Sequence, residues 1–194
     1  MPGSTKIALF AVETYDTGGI YGVQANRSYT TYRTYKDSIV KRSADQSSAN
    51  GPILALDLGD KLVGAAISDE RLVTTKRLPP LKRSNWKKLL QDVRHLVERF
   101  DAQTVVVGLP LRMDGTEGEA AKNVRRLATN LARSIDLPIY LQDERLTSLE
   151  AMANLKAEGI KPDEIPAFID GEAAATILRD FLDTKQERVL VTTQ

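Results

Sequence analysis

Cysteine is absent from the 194 residues, and histidine occurs once, as His95. The first absence removes disulfide scaffolds, thiol nucleophiles and Cys-based zinc sites. With a single histidine, a Ser-His-Asp triad or a multi-His metal centre is not expected. No apolar run approaches the roughly 18 residues that span a bilayer. The six apolar residues Ile7–Val12 after Lys6 are too few for a signal-peptide core. A cytoplasmic protein with no membrane partner is therefore expected. An excess of one charge is missing too. Lys and Arg number 27 and Asp and Glu 26, which excludes a uniformly basic coat but not a local basic face. Acid, base or metal chemistry is left largely to carboxylates. The chain is 42% apolar, enough for one core and one domain with an appendage.

Composition changes near Gly51-Pro52. Residues 1–51 hold five of the six tyrosines and no leucine after Leu9, with no sustained helical or strand period. They read as a flexible N-terminal extension, a hairpin packed on the main domain or sequence upstream of the true start, and no function is assigned to them. From Pro52 the pattern is regular. Ile53–Leu58, Leu62–Ser68 and Leu72–Leu78 read as three strands joined by short turns, an antiparallel meander. Ser84 is placed to cap a helix whose apolar face carries Trp86, Leu89, Leu90, Val93, Leu96, Val97 and Phe100, with His95 off that face. Thr104–Gly108 is a continuous apolar strand of the kind buried on both faces. Thr116 and Glu119 suggest a capping box for the next helix, and Thr147 and Glu150 a second one, after a strand at Pro138–Leu141. A last helix starts near Asp170. Three antiparallel strands followed by βα units predict an α/β fold, a mixed sheet with helices on its faces.

Three carboxylates stand out. Asp57 interrupts Ile-Leu-Ala-Leu-Asp-Leu-Gly, and a carboxylate in a buried strand is costly unless a cation or donors compensate it. The alternative is an Asp bonding the Gly59–Lys61 turn. Asp143 and Glu144 follow the Pro138–Leu141 run, and since adjacent strand residues face opposite ways, either could serve the site. Asp170 opens the last helix, where Asp also suits a simple cap. Carboxylates at two strand ends and a helix start could form a divalent-cation site. Mg²⁺ takes oxygen ligands and keeps several waters, and paired ions can drive phosphodiester hydrolysis. Between Arg71 and Arg99 there are nine Lys or Arg, among them Lys82, Arg83, Lys87 and Lys88, against Asp92 and Glu98. Arg125 and Arg126 belong to a second basic stripe. Such local excesses suit a phosphate backbone. Two other motifs fail. Gly59-x4-Gly64 lacks the Lys and Ser or Thr of a P-loop, and the Asp57-Leu-Gly59 turn of two-lobed ATPases needs a longer chain.

Four segments in register carry a resemblance. They are Leu-Asp57-Leu-Gly-Asp-Lys-Leu-Val-Gly64, Val-Gly108-Leu-Pro-Leu-Arg-Met-Asp-Gly115, Asp143-Glu-Arg-Leu-Thr-Ser148 and Asp170-Gly-Glu-Ala-Ala-Ala175. Together they resemble the YqgF/RuvX family of ribonuclease H-like nucleases, over roughly residues 52–184, leaving 185–194 as a tail. The resemblance implies a five-stranded ribonuclease H-like sheet with helices on both faces. It implies Asp57, Glu144 and Asp170 as catalytic and metal-binding acids for Mg²⁺ or Mn²⁺, with Asp143 as an auxiliary acid. Lys61, Arg112 and Arg145 become candidates for contacting substrate phosphates. In the mechanism so carried over, Asp57 bridges two ions, Glu144 and Asp170 hold one each, and bound water attacks phosphorus in line. Asp60 departs from the family's usual Thr or Ser.

The activity implied is a metal-dependent endonuclease acting on structured nucleic acid, trimming the 5′ end of pre-16S rRNA in ribosome biogenesis. The alternative is a Holliday junction resolvase acting in DNA recombination and repair, which needs two symmetric active sites and hence a homodimer. Four-carboxylate resolvases carry a second Asp one turn into the last helix, where this chain has Ala173 and Ala174. A non-catalytic nucleic-acid-binding module is the third reading, and retention of all three acids weighs against it.

Overall fold

The largely apolar run Ile53–Leu58 forms β1, and Leu62–Ser68 (β2) and Thr75–Lys82 (β3) complete an antiparallel meander with it. Then follow α1 (Trp86–Arg99), β4 (Thr104–Leu109), α2 (Glu119–Ala132), β5 (Ile139–Asp143) and α3 (Thr147–Ala157). A single 3₁₀ turn at Ile165–Ala167 leads into α4 (Ile169–Asp183), and β6 (Val189–Leu190) closes the order. This computed structural model describes residues 51–145, 147–183 and 188–192. The expected extension, apart from Gly51, and half of the expected tail lie outside the described residues.

The strands form one sheet of order β3-β2-β1-β4-β5-β6. β4 runs parallel to β1 and β5 parallel to β4, while β6 is antiparallel to β5. The predicted five strands are thus joined by a sixth, drawn from the segment read as a tail. Because side chains alternate across a strand, the sheet has two cores. Leu54, Leu56, Val105, Val107, Ile139 and Leu141 pack under α1 and α2. On the other face Ile53, Ala55, Ala66, Val106 and Tyr140 pack under Ala174, Ile177, Leu178 and Phe181 of α4. The small residues on that second face let α4 lie close to the sheet.

Three local expectations are corrected. The third strand starts at Thr75, not Leu72. The Asp69 carboxylate accepts from the Val73 and Thr74 amides at 2.7 and 2.9 Å, closing a turn in which Leu72 takes φ +57°. The strand also runs on through Pro79-Pro80. It is an edge strand, where a missing N–H is tolerated. Ala65 pairs with Leu78 but Val63 with Leu81, so the two prolines bulge opposite the single residue Gly64. The second correction concerns caps. Asn85, not Ser84, caps α1, its side chain accepting from the Lys88 amide at 2.9 Å. At α2 the cap is Gly118 without a side-chain bond, because the Asp114 carboxylate takes the Thr116 hydroxyl and amide. Third, Thr147 lies within the first turn of α3 and its hydroxyl is buried without a partner, so it caps nothing.

Candidate active site

Asp57 follows Ile53 and Ala55 on the α4 face of β1, one residue before the strand ends. Its cross-strand partner on β2 is Gly64. On the other side, the parallel register that pairs Leu56 with Val107 brings Asp57 beside Gly108 of β4. Each of the two glycines makes room for another acid. A Cβ on Gly64 would lie 2.0 Å from the backbone oxygen of Asp170, so glycine here is what allows the start of α4 to rest on β2. A Cβ on Gly108 would lie 2.0 Å from Glu144 Oε2 and 2.5 Å from Ile177 Cδ1. The Glu144 carboxyl therefore fills the space where any side chain at 108 would stand.

Glu144 continues the β4–β5 ladder by one step, its amide donating to the Leu109 carbonyl at 3.2 Å, before the chain turns into α3. Its Oε2 is buried and has no hydrogen-bond partner. Asp143 faces the other way, as strand alternation requires. Its carboxylate takes the Arg145 amide at 3.0 Å and the Arg145 guanidinium at 2.7 Å. Of the two acids left open by sequence, Glu144 is the one turned toward Asp57.

The electrostatics run through Asp57. Burial, and then the neighbouring Asp170 carboxyl, push Asp57 up to about 6. Burial raises Glu144 to about 8, with the charges of Asp57 and Asp143 adding to it. Burial also raises Asp170. Asp57 is thus coupled to one acid on each side, from α4 and from the end of β5. Among the described residues, no three acidic or imidazole side chains already stand in ligating geometry. The arrangement is a linked row of carboxyls rather than a closed cage.

Asp170 lies inside the first turn of α4, not at its cap. Two residues on, Glu172 fixes that helix. It is 2% exposed and accepts from Arg77 on β3 at 3.0 Å, Asn154 on α3 at 3.2 Å and Arg179 on α4 at 2.5 Å. Arg77 also pairs with Glu158 at 2.9 Å. The sequence reading passed over Glu172 and the two glycines. Isolated glycines within strand patterns are a signal of close approach that could have marked Gly64 and Gly108.

The basic candidates divide. Lys61, Lys82, Lys87, Lys88 and Arg112 are exposed, Lys88 pairing with Asp92 along its helix. Arg83 turns inward and donates to the Gly59 carbonyl at 2.9 Å, bracing the turn that follows Asp57. Arg125 is paired with Glu117, and Arg126 donates to Asn123. Arg145 holds Asp143 and reaches the Met113 carbonyl at 3.4 Å. His95 and Asp60 are exposed.

A mixed sheet of this order, with helices on both faces, defines a ribonuclease H-like α/β fold, and acids stand at the ends of β1 and β5 and in the first turn of α4. A family model described as "RuvX: Holliday junction resolvase" matches residues 51–184, and the chain belongs to that family. Among its relatives, a Syntrophus aciditrophicus protein is 36% identical over 138 residues, 71% of this chain and 92% of its own length. A Synechococcus elongatus relative is 37% identical over 134 residues, 69% of this chain and 90% of its own. Both are named "Putative pre-16S rRNA nuclease". Among solved structures, T. thermophilus RuvC in complex with Holliday junction substrate aligns with 70% of this chain and 98% of its own. That alignment has 17% identity and a TM-score of 0.47.

Proposed function

We propose that this protein is a divalent-metal-dependent endonuclease that hydrolyses phosphodiester bonds in structured nucleic acid, its substrate being the 5′ end of pre-16S rRNA. The observation that carries the reading is the buried, unpartnered Glu144 Oε2 seated on Gly108 beside Asp57. A buried acceptor without a donor is costly. It calls for a partner of positive charge.

The residues fit Mg²⁺ or Mn²⁺. Their donors are all oxygens, and a hard cation that retains its waters needs few protein ligands. Asp57, Glu144 and Asp170 would hold it, Asp143 being occupied by Arg145. A bound cation would supply an activated water and neutralise charge on the scissile phosphate. The chain itself supplies position and proton storage. Without a cation, Glu144, raised to about 8, keeps a proton on its carboxyl at neutral pH. Arg83 braces the turn that follows Asp57, and Gly64 leaves room for the backbone of Asp170. Lys61 and Arg112 are exposed cations for flanking phosphates.

Cleavage of a precursor RNA spanning the 5′ end of 16S rRNA, beside a four-way DNA junction, tests the proposal. Wild type is expected to cut the RNA in Mg²⁺ and to stop in excess EDTA. Asp57→Asn should bind the RNA without cutting it. Full activity of that variant, or in EDTA, contradicts the metal-dependent mechanism. Paired symmetric nicks in the junction with the RNA untouched would replace the RNA substrate by branched DNA.

A further inference from the structure

Between β4 and α2 the chain makes a small hairpin whose order is set by its own bonds. Leu111 and Glu117 pair as an antiparallel bridge. Within it the Arg112 amide donates to Thr116 O at 2.9 Å and the Gly115 amide to Arg112 O at 2.8 Å, with Gly115 at φ +82°. Asp114 Oδ1 takes the Thr116 amide and hydroxyl at 2.9 and 2.7 Å. Glu117 is anchored to Arg125 of α2.

At the tip stands Met113, 71% exposed, more than any other large apolar side chain among the described residues. One exposed apolar residue is ordinary in itself. This one differs in its surroundings. Its carbonyl accepts from Arg145 at 3.4 Å, and Arg145 is the residue after Glu144. Arg112, exposed, precedes it on the same hairpin. It lies five positions after Gly108, so it stands within about 18 Å of the Glu144 seat. An apolar tip on a bonded turn, preceded by Arg112 and held through its carbonyl by Arg145, is thus tied to the strand end that carries the acid.

We propose that Met113 is a wedge that enters the base stack of the nucleic-acid substrate where a duplex meets an unpaired strand, next to the bond that is cut. The proposal rests on the nuclease reading and deepens it by naming the substrate feature recognised. Apolar side chains, methionine and leucine among them, insert between base steps and unstack them. Arg112 and Arg145 supply contacts to the phosphates on either side of the opened step. Unstacking costs least where the stack is already interrupted. The hairpin therefore selects duplex ends, bulges and branches over continuous duplex.

The test uses the full chain and an RNA hairpin with a 5′ unpaired strand, 2-aminopurine replacing the last paired purine. In the Asp57→Asn background with Mg²⁺, binding is expected to raise the 2-aminopurine fluorescence severalfold. Adding Met113→Ala should abolish the rise, and Met113→Leu should restore most of it. With Asp57 intact, Met113→Ala should lower the ratio of cleavage of the RNA hairpin to that of an unpaired oligonucleotide about tenfold. Its thermal midpoint should stay at the wild-type value, since Met113 is exposed. Equal fluorescence with and without the Met113→Ala substitution, or an unchanged cleavage ratio, overturns the wedge. If the fluorescence follows Met113 while wild type cuts neither RNA, the wedge stands and the nuclease reading fails. A chain that binds neither RNA overturns both.

Discussion

Glu144 and Asp57 behave as acids that folding has made reluctant to ionise. Burial comes first in each case, and each stands near another carboxyl. Their folded values, about 8 and about 6, lie above the ordinary 4.5 and 3.8. The folded chain therefore holds more protons than the unfolded one between those limits. Stability contributed by the neutral acids is fully present below about pH 4 and is lost as pH rises toward about 8. In EDTA, Glu144→Gln should flatten this decline and raise the unfolding free energy at pH 8 by about 2–4 kcal/mol over wild type. Denaturant titrations of both proteins at pH 5 and pH 8 check it. A wild-type decline no steeper than the variant's would show that Glu144 is not the group responsible. Cation binding has the opposite sign, because ligands must give up their protons. Mg²⁺ affinity should rise from pH 6 to pH 8, with proton release visible as calorimetric heats that depend on the buffer. Asp57→Asn should abolish both signals.

At the scale of elements, the site depends on how closely α4 and the end of β5 approach the sheet. Gly64→Ala puts a methyl 2.0 Å from the Asp170 backbone oxygen, a position no rotamer can relieve. A cost of about 1–3 kcal/mol, typical of overpacking, is expected, together with loss of cleavage. Gly108→Ala meets the ends of the Glu144 and Ile177 side chains instead of backbone, and the Glu144 carboxyl can swing away. It should lose activity out of proportion to stability, a difference that melting curves and cleavage rates measured side by side will show. Glu172 acts on the same helix from behind. Its removal leaves Arg77 and Arg179 without their shared buried carboxylate. Glu172→Ala is expected to cost about 3–5 kcal/mol, measured by denaturant unfolding. A loss below about 1 kcal/mol would mean that the ionic cluster does not hold α4 in place.

At the scale of the whole molecule, the order of the sheet puts the acids at one end of β1, β5 and α4, while exposed lysines lie along β3 and α1. Charge neutrality overall, 27 against 26, is thus compatible with a phosphate-binding surface. Binding should weaken steeply with salt. Replacing Lys87 and Lys88 by alanine should lower the log–log salt slope by about one to two and weaken all RNA sequences alike. Filter binding from low to moderate salt gives the slope, and an unchanged value would remove this helix from the interface. Among the described residues, no helix is long and apolar enough to cross a membrane.

Much of this was legible in the chain. Alternating and continuous apolar runs distinguish strands from helices because burial follows the periods of two and 3.6. An acid flanked by leucines marks Asp57 because burying charge is costly. Strand alternation shows that Asp143 and Glu144 point apart. What it cannot show is which of them faces Asp57, since that depends on which side of the sheet β5 gives to α4. The third strand was displaced because the Asp69 turn and the tolerance of Pro79-Pro80 at an edge depend on position in the sheet. The seats at Gly64 and Gly108, the pair of Arg77 with Glu172 and the tether between Arg145 and Met113 join residues 32 to 106 positions apart. The sequence determined most of the elements, the acids and the family likeness, all of which rest on local pattern. Only the tertiary structure decided which atoms meet, because packing across the sheet sets distances that no local pattern encodes.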